Sequence, residues 1–343
     1  MTRRERILTA LNGKVPDRPP VSFDAPGKAL DDVLMYYGAA DKNDLYRVAG
    51  IDGFSVWEWN AVAGRYTRET RTLDDGEALD FWGNSSQHHY GLAGCNSIED
   101  LQQHIWPNVA DFDFSHVKEE AVRIRNMDMV VSAGHLGVGY QMHNMLRGNE
   151  NALYDVCDPD YMAVYVEKVT EFTVAYAEKL LHAADGLIEV FRSDDDVGTM
   201  DRLMISPEMW RTYYKSAWKA VIDTVHKHGA KVWFHSCGYI EPLREDLIEI
   251  GVDCWNPFPP NVKGNDHKML AEWRRGRLVL DGGVDQILMV QGTADQIRKK
   301  TQQVLDLFAP DGGLLIGPSQ VLTEDMPLEN KIAFFETAVR YGK

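Results

Sequence analysis

Along this chain, short runs of β-branched and aromatic residues alternate with longer segments whose apolar positions recur every three or four residues. A period of two marks a strand, and a period near 3.6 marks a helix buried on one face. The short runs fall at residues 20–24, 53–58, 129–134, 186–191, 231–236, 252–256, 277–282 and 313–317. Eight such strands, alternating with helices, predict an α/β fold closed into a parallel (β/α)8 TIM-type barrel, not an open sheet. Helix punctuation agrees. Ser206-Pro207-Glu208 supplies an N-cap, a first-turn proline and an acid, and Trp210, Tyr213, Tyr214, Ala217, Trp218, Val221 and Val225 follow at helical spacing before Gly229. Thr293-Ala294-Asp295-Gln296 predicts a capping box opening a helix that runs to about Phe308. Residues 61–122 lose this regularity and read as an elaborated N-terminal segment. No tract resembles a linker, so a single domain over 1–343 is expected.

Barrels keep their chemistry at the carboxyl ends of the strands, which makes the residues there the candidates. The fifth predicted strand ends Phe234-His235-Ser236-Cys237-Gly238, and positions i and i+2 share a face. His235 and Cys237 therefore project together as half of a tetrahedral zinc site, or as a hydrogen-bonded histidine beside a buried thiol. The fourth strand runs into Ser193-Asp194-Asp195-Asp196. Asp195 and Asp196 are expected to ligate metal, bind a cation or shuttle protons, against the plainer reading of a solvated acidic loop. His135, between glycines after the third strand, is a further candidate for the mouth. Trp57, Trp59 and Trp82, with Phe81, are either core or the wall of an aromatic substrate pocket. After the eighth strand, Ser319 and Gln320 offer a hydroxyl and an amide, better suited to substrate than to metal.

The net charge of −16 argues against nucleic acid and anionic membrane surfaces as partners, and against a polyanionic substrate without a local arginine cluster. Cys95, Cys157, Cys237 and Cys254 lie far apart with no CxxC pair, and read as thiols. No signal-peptide pattern and no membrane-spanning apolar run is present, so a cytoplasmic location is expected.

Several of these motifs, in this order, resemble the uroporphyrinogen decarboxylase superfamily. They are Thr2-Arg3-Arg4-Glu5-Arg6-Ile7-Leu8 with Pro16-Asp17-Arg18-Pro19-Pro20-Val21, and Asp195-Asp196-Val197-Gly198 with Ile205-Ser206-Pro207-Glu208. His235-Ser236-Cys237-Gly238, Gly282-Gly283-Val284-Asp285, Gly317-Pro318-Ser319 and Pro327-Leu328-Glu329-Asn330 complete the series. The resemblance implies a (β/α)8 barrel, as the strand pattern does. Decarboxylases of that family carry Arg-Gln-Ala-Gly-Arg after the first strand to receive substrate carboxylates. This chain has Phe23-Asp24-Ala25-Pro26-Gly27-Lys28 there, so uroporphyrinogen is set aside as substrate.

The other branch implied by the resemblance is the zinc methyltransferases that exchange methyl groups with corrinoid proteins. Their His-x-Cys motif matches His235 and Cys237, but the position of their later cysteine falls near Gln320. An oxygen ligand, Asp195 or Glu189, is expected to replace it, leaving zinc more electrophilic and suited to an ether oxygen. The resemblance thus implies a corrinoid-dependent O-demethylase: zinc on the protein, a methyl ether (plausibly aryl) as donor, and cobalamin on a partner protein as acceptor. The alternative is a metal-free decarboxylase of a small carboxylic acid.

Overall fold

A computed structural model describes residues 1–53, 61–73, 76–85, 89–134 and 136–342. Nine strands are described: β1 (Ala61–Val62), β2 (Arg65–Tyr66), β3 (Phe112–Asp113), β4 (Ser132–Gly134), β5 (Val190–Asp194), β6 (Lys231–His235), β7 (Cys254–Asn256), β8 (Val279–Val284) and β9 (Leu314–Pro318). Seven form one parallel sheet in the order β1-β4-β5-β6-β7-β8-β9. Val21 bridges Ile316 of β9 in parallel, which brings the first predicted strand round as the remaining stave of a TIM-type barrel. The second predicted strand, 53–58, lies mostly outside the described residues; the stave found beside β4 is β1.

Alternation along each strand sorts side chains between barrel and helix layer. In β6, Phe234 faces outward and meets the Trp218 ring edge-on at 5.1 Å, while Trp233 and His235 face inward. The floor is apolar: Ile7 and Leu11 of the helix Arg3–Leu11 plug the amino end against Val190, Cys254, Val279 and Leu315. Above it the interior turns polar, with Ser22, Ser132, Arg192 and Asp281 buried. That change from apolar floor to polar upper layer points the chemistry toward the mouth.

The expected helix signals act as caps. Ser206 Oγ accepts from the Met209 amide, and Thr293 with Gln296 forms a reciprocal capping box on Ala294–Phe308. The segment after Ser206 is two helices, Pro207–Tyr213 and Lys215–Lys227, not one. Residues 61–122 hold an antiparallel pair, β2 with β3, and the short helix Ile98–Gln103. Beyond β1, Phe81, Trp82 and Phe112 of this segment pack against Phe172 and Tyr176 of the long helix Pro159–Ala183. No helix among the described residues is long and apolar enough to cross a membrane.

Candidate metal centre at the barrel mouth

The chain leaves β5 through Asp195 and Asp196, and leaves the neighbouring β6 through Ser236 and Cys237. Parallel pairing sets Asp194 opposite His235, so the two exits lie side by side. There Asp196, His235 and Cys237 place a carboxylate oxygen, an imidazole nitrogen and a sulfur all within 4.8 Å of one another. His235 Nε2 lies 3.6 Å from Asp196 Oδ1, and the Cys237 amide donates to the same oxygen at 2.8 Å.

Two glycines allow the approach. Gly238 has φ +83°, and a Cβ there would lie 2.5 Å from the Gly198 carbonyl oxygen. A Cβ on Gly198 would lie 2.6 Å from the Tyr239 carbonyl oxygen in return. Only backbone without side chains fits where these loops cross.

The donors suit a soft-to-borderline divalent cation. Nitrogen, sulfur and oxygen at such separations are the ligand types zinc takes in catalytic sites, where three protein groups hold the ion. Burial, and then the neighbouring Asp196, push the Cys237 thiol up to about 12. A thiol beside a carboxylate keeps its proton unless a cation replaces it.

The other expected residues are placed differently. Asp195 is fully buried and faces the helix layer, where it accepts from the Gln141 amide at 2.9 Å and from the indoles of Trp210 and Trp218 at 2.9 and 3.1 Å. Burial raises its carboxyl to about 6, against these three donors. Adjacent residues face opposite ways, so Asp196 and not Asp195 joins the cluster. Glu189 is a correction: it precedes β5 and lies at the amino end of the barrel. There it is bound by Arg4, by Arg125 at 2.9 Å and by the Val131 amide at 3.1 Å. Trp82 is buried in the main hydrophobic core, where its ring packs on Phe172 at 4.9 Å. Gln320 is exposed just beyond β9. His135, Trp57 and Trp59 lie outside the described residues.

Sequence reasoning passed over the layer beneath the cluster. Arg192 faces the barrel interior and donates to Asp194 at 2.9 Å, with its guanidinium 5.9 Å from the Trp233 ring centroid. Trp233 donates to Asp281 at 2.8 Å, Asp281 also holds Ser22, and Asn256 contacts His235 at 2.7 Å. An arginine directly after the apolar pair Val190-Phe191, two residues before Asp194, is the signal in the sequence for this layer.

A methyltransferase from Methanosarcina mazei superposes with a TM-score of 0.62 over 98% of this chain and 98% of its own, at 20% sequence identity, which is a likeness of fold. A D-psicose 3-epimerase from Clostridium cellulolyticum covers 68% of this chain and 81% of its own, with a TM-score of 0.39 and 10% identity. No curated protein matches the sequence. The family described as uroporphyrinogen decarboxylase (URO-D) matches residues 128–341, more than half of the chain and the part that carries β4 to β9, Asp196, His235 and Cys237. The chain is a member of the uroporphyrinogen decarboxylase family.

Proposed function

We propose that this protein is a zinc-dependent methyltransferase that takes a methyl group from a methyl ether of the aryl class and passes it to the cobalt(I) corrinoid of a partner protein. The observation that carries the reading is the convergence of Asp196, His235 and Cys237 within 4.8 Å at the barrel mouth. Zinc held there would supply Lewis acidity, offsetting the negative charge that builds on the departing oxygen as the carbon–oxygen bond breaks.

The chain's own residues supply the rest. Asp196 replaces a thiolate in the ligand set, which leaves fewer electron-rich sulfurs on the ion. Asp194 and Arg192 line the wall below and fix the polarity of the inner pocket. A methoxylated substrate enters from the open end, the face on which a corrinoid protein docks. We place this activity in the cytoplasm.

A metal-free decarboxylase acting on a small carboxylic acid is the second reading. Arg192, buried in the barrel interior, favours it, because a guanidinium there suits a substrate carboxylate.

Metal content separates the two. Purified protein is expected to hold about one zinc per chain, and Asp196→Asn, His235→Ala and Cys237→Ser are each expected to lose it. Methoxyaromatic compounds screened with a reduced corrinoid protein then give methylated corrinoid only with the zinc-loaded parent. Zinc-supplemented protein that stays empty overturns the methyltransferase reading in favour of the decarboxylase.

A further inference from the structure

Asn256 ends β7 directly opposite His235 of β6, so the barrel register and not a loop sets their contact. Its Nδ2 donates to the peptide carbonyl of Asp281 in β8 at 3.1 Å. A carbonyl only accepts, so the amide is held one way round, and Oδ1 is the atom 2.7 Å from His235 Nδ1. That oxygen also only accepts, so the proton of the neutral imidazole sits on Nδ1. Nε2 then presents its lone pair on the side of Asp196, whose Oδ1 is 3.6 Å away.

The ring is held from a second direction. Trp233 lies nearly parallel to His235, with centroids 6.0 Å apart and an angle of 27°. Its indole donates to the carboxylate of Asp281 at 2.8 Å. Asp281 therefore anchors both neighbours of the histidine, one through its backbone and one through its side chain. An imidazole ligand binds through one nitrogen, and the partner of the other nitrogen sets which tautomer and which orientation it has.

We infer that Asn256 is a positioning residue for the metal centre, holding His235 as the Nδ1–H tautomer with Nε2 aimed at the ion; this rests on the metal reading proposed above. The test is zinc affinity, by competition with a chromophoric chelator, for the parent, Asn256→Leu and Asn256→Asp, with urea unfolding alongside. Both variants lose the bond to the Asp281 carbonyl, so both are expected to be less stable than the parent. Asn256→Leu is expected to bind zinc about 10–100-fold more weakly. Asn256→Asp, which keeps an acceptor for Nδ1–H, is expected to stay close to the parent.

A purely structural role would weaken zinc binding equally in both variants or in neither, and either result overturns the inference. Nitrogen-15 spectra of His235 in the metal-free parent give a reading that needs no variant to fold. A proton on Nδ1 is expected, and a proton on Nε2 overturns the inference. A parent that binds no zinc overturns the metal reading and this inference with it. Unchanged affinity in Asn256→Leu overturns this inference alone.

Discussion

The backbone amide of Cys237 donates to Asp196 Oδ1 at 2.8 Å, which ties the exit of β6 to the exit of β5. The same carboxylate lies beside His235 Nε2, so Asp196 both braces the loop and contributes to the donor set. Asp196→Asn keeps an oxygen that can accept from the amide but removes the charge. The fold should survive with a small loss of stability, and zinc affinity should fall by more than the about 10–100-fold typical of an outer partner. Chelator competition and urea unfolding on the same samples check both halves.

Gly238 crosses Gly198 with no room for a side chain and with a backbone that disfavours one. Gly238→Ala should cost about 1–3 kcal/mol from the left-handed conformation alone. The clash with the Gly198 carbonyl should separate the two exits, so zinc stoichiometry should fall in protein that is still folded. Circular dichroism with metal analysis decides this, and full zinc occupancy in a folded variant would contradict it.

Asp281 gives a pH dependence of known sign. Burial raises its carboxyl from 3.8 to about 6, while Ser22 and Trp233 pull it down. Between those values the folded chain keeps a proton that the unfolded chain has released. The stabilisation is therefore complete below the unfolded value and lost as the pH rises through the folded one. The difference corresponds to about 3 kcal/mol. Relative to the parent, Asp281→Asn should thus gain up to that amount between pH 4 and 7, read by urea unfolding across the range. A constant difference between the two proteins would show that Asp281 does not titrate there.

Glu189 braces the opposite end of the barrel, between Arg4, Arg125 and the Val131 amide. Glu189→Gln should cost about 1–3 kcal/mol, because it leaves charged donors short of an acceptor. Zinc content should not change. Loss of zinc without loss of stability would return Glu189 to the metal site.

Much of this was legible from local chemistry. Periods of two and of 3.6 mark strands and helices because burial acts on one face at a time, and the Thr293–Gln296 box depends only on residues three apart. The pairing of His235 with Cys237 follows from alternation within one strand end. Strand phase was harder. The apolar run from Gly186 reads as a strand, but Asp185 and Gly186 turn the chain with φ of +52° and +73°, and β5 starts only at Val190. That shift moved Glu189 from the mouth to the floor. It also left open whether Asp195 or Asp196 faces the barrel, since each step along a strand reverses the side chain.

What only the tertiary structure decided depends on neighbours distant in sequence. Trp82 is an aromatic residue whether it walls a pocket or fills a core, and only packing on Phe172 of a later helix shows it buried in the core cluster. Asn256 acquires its relation to His235 because β7 lies beside β6 with those two residues in register. Local sequence sets periodicity and capping, which depend on near neighbours. Which donors converge on one point is set by the closing of the barrel, which joins residues through pairing across strands.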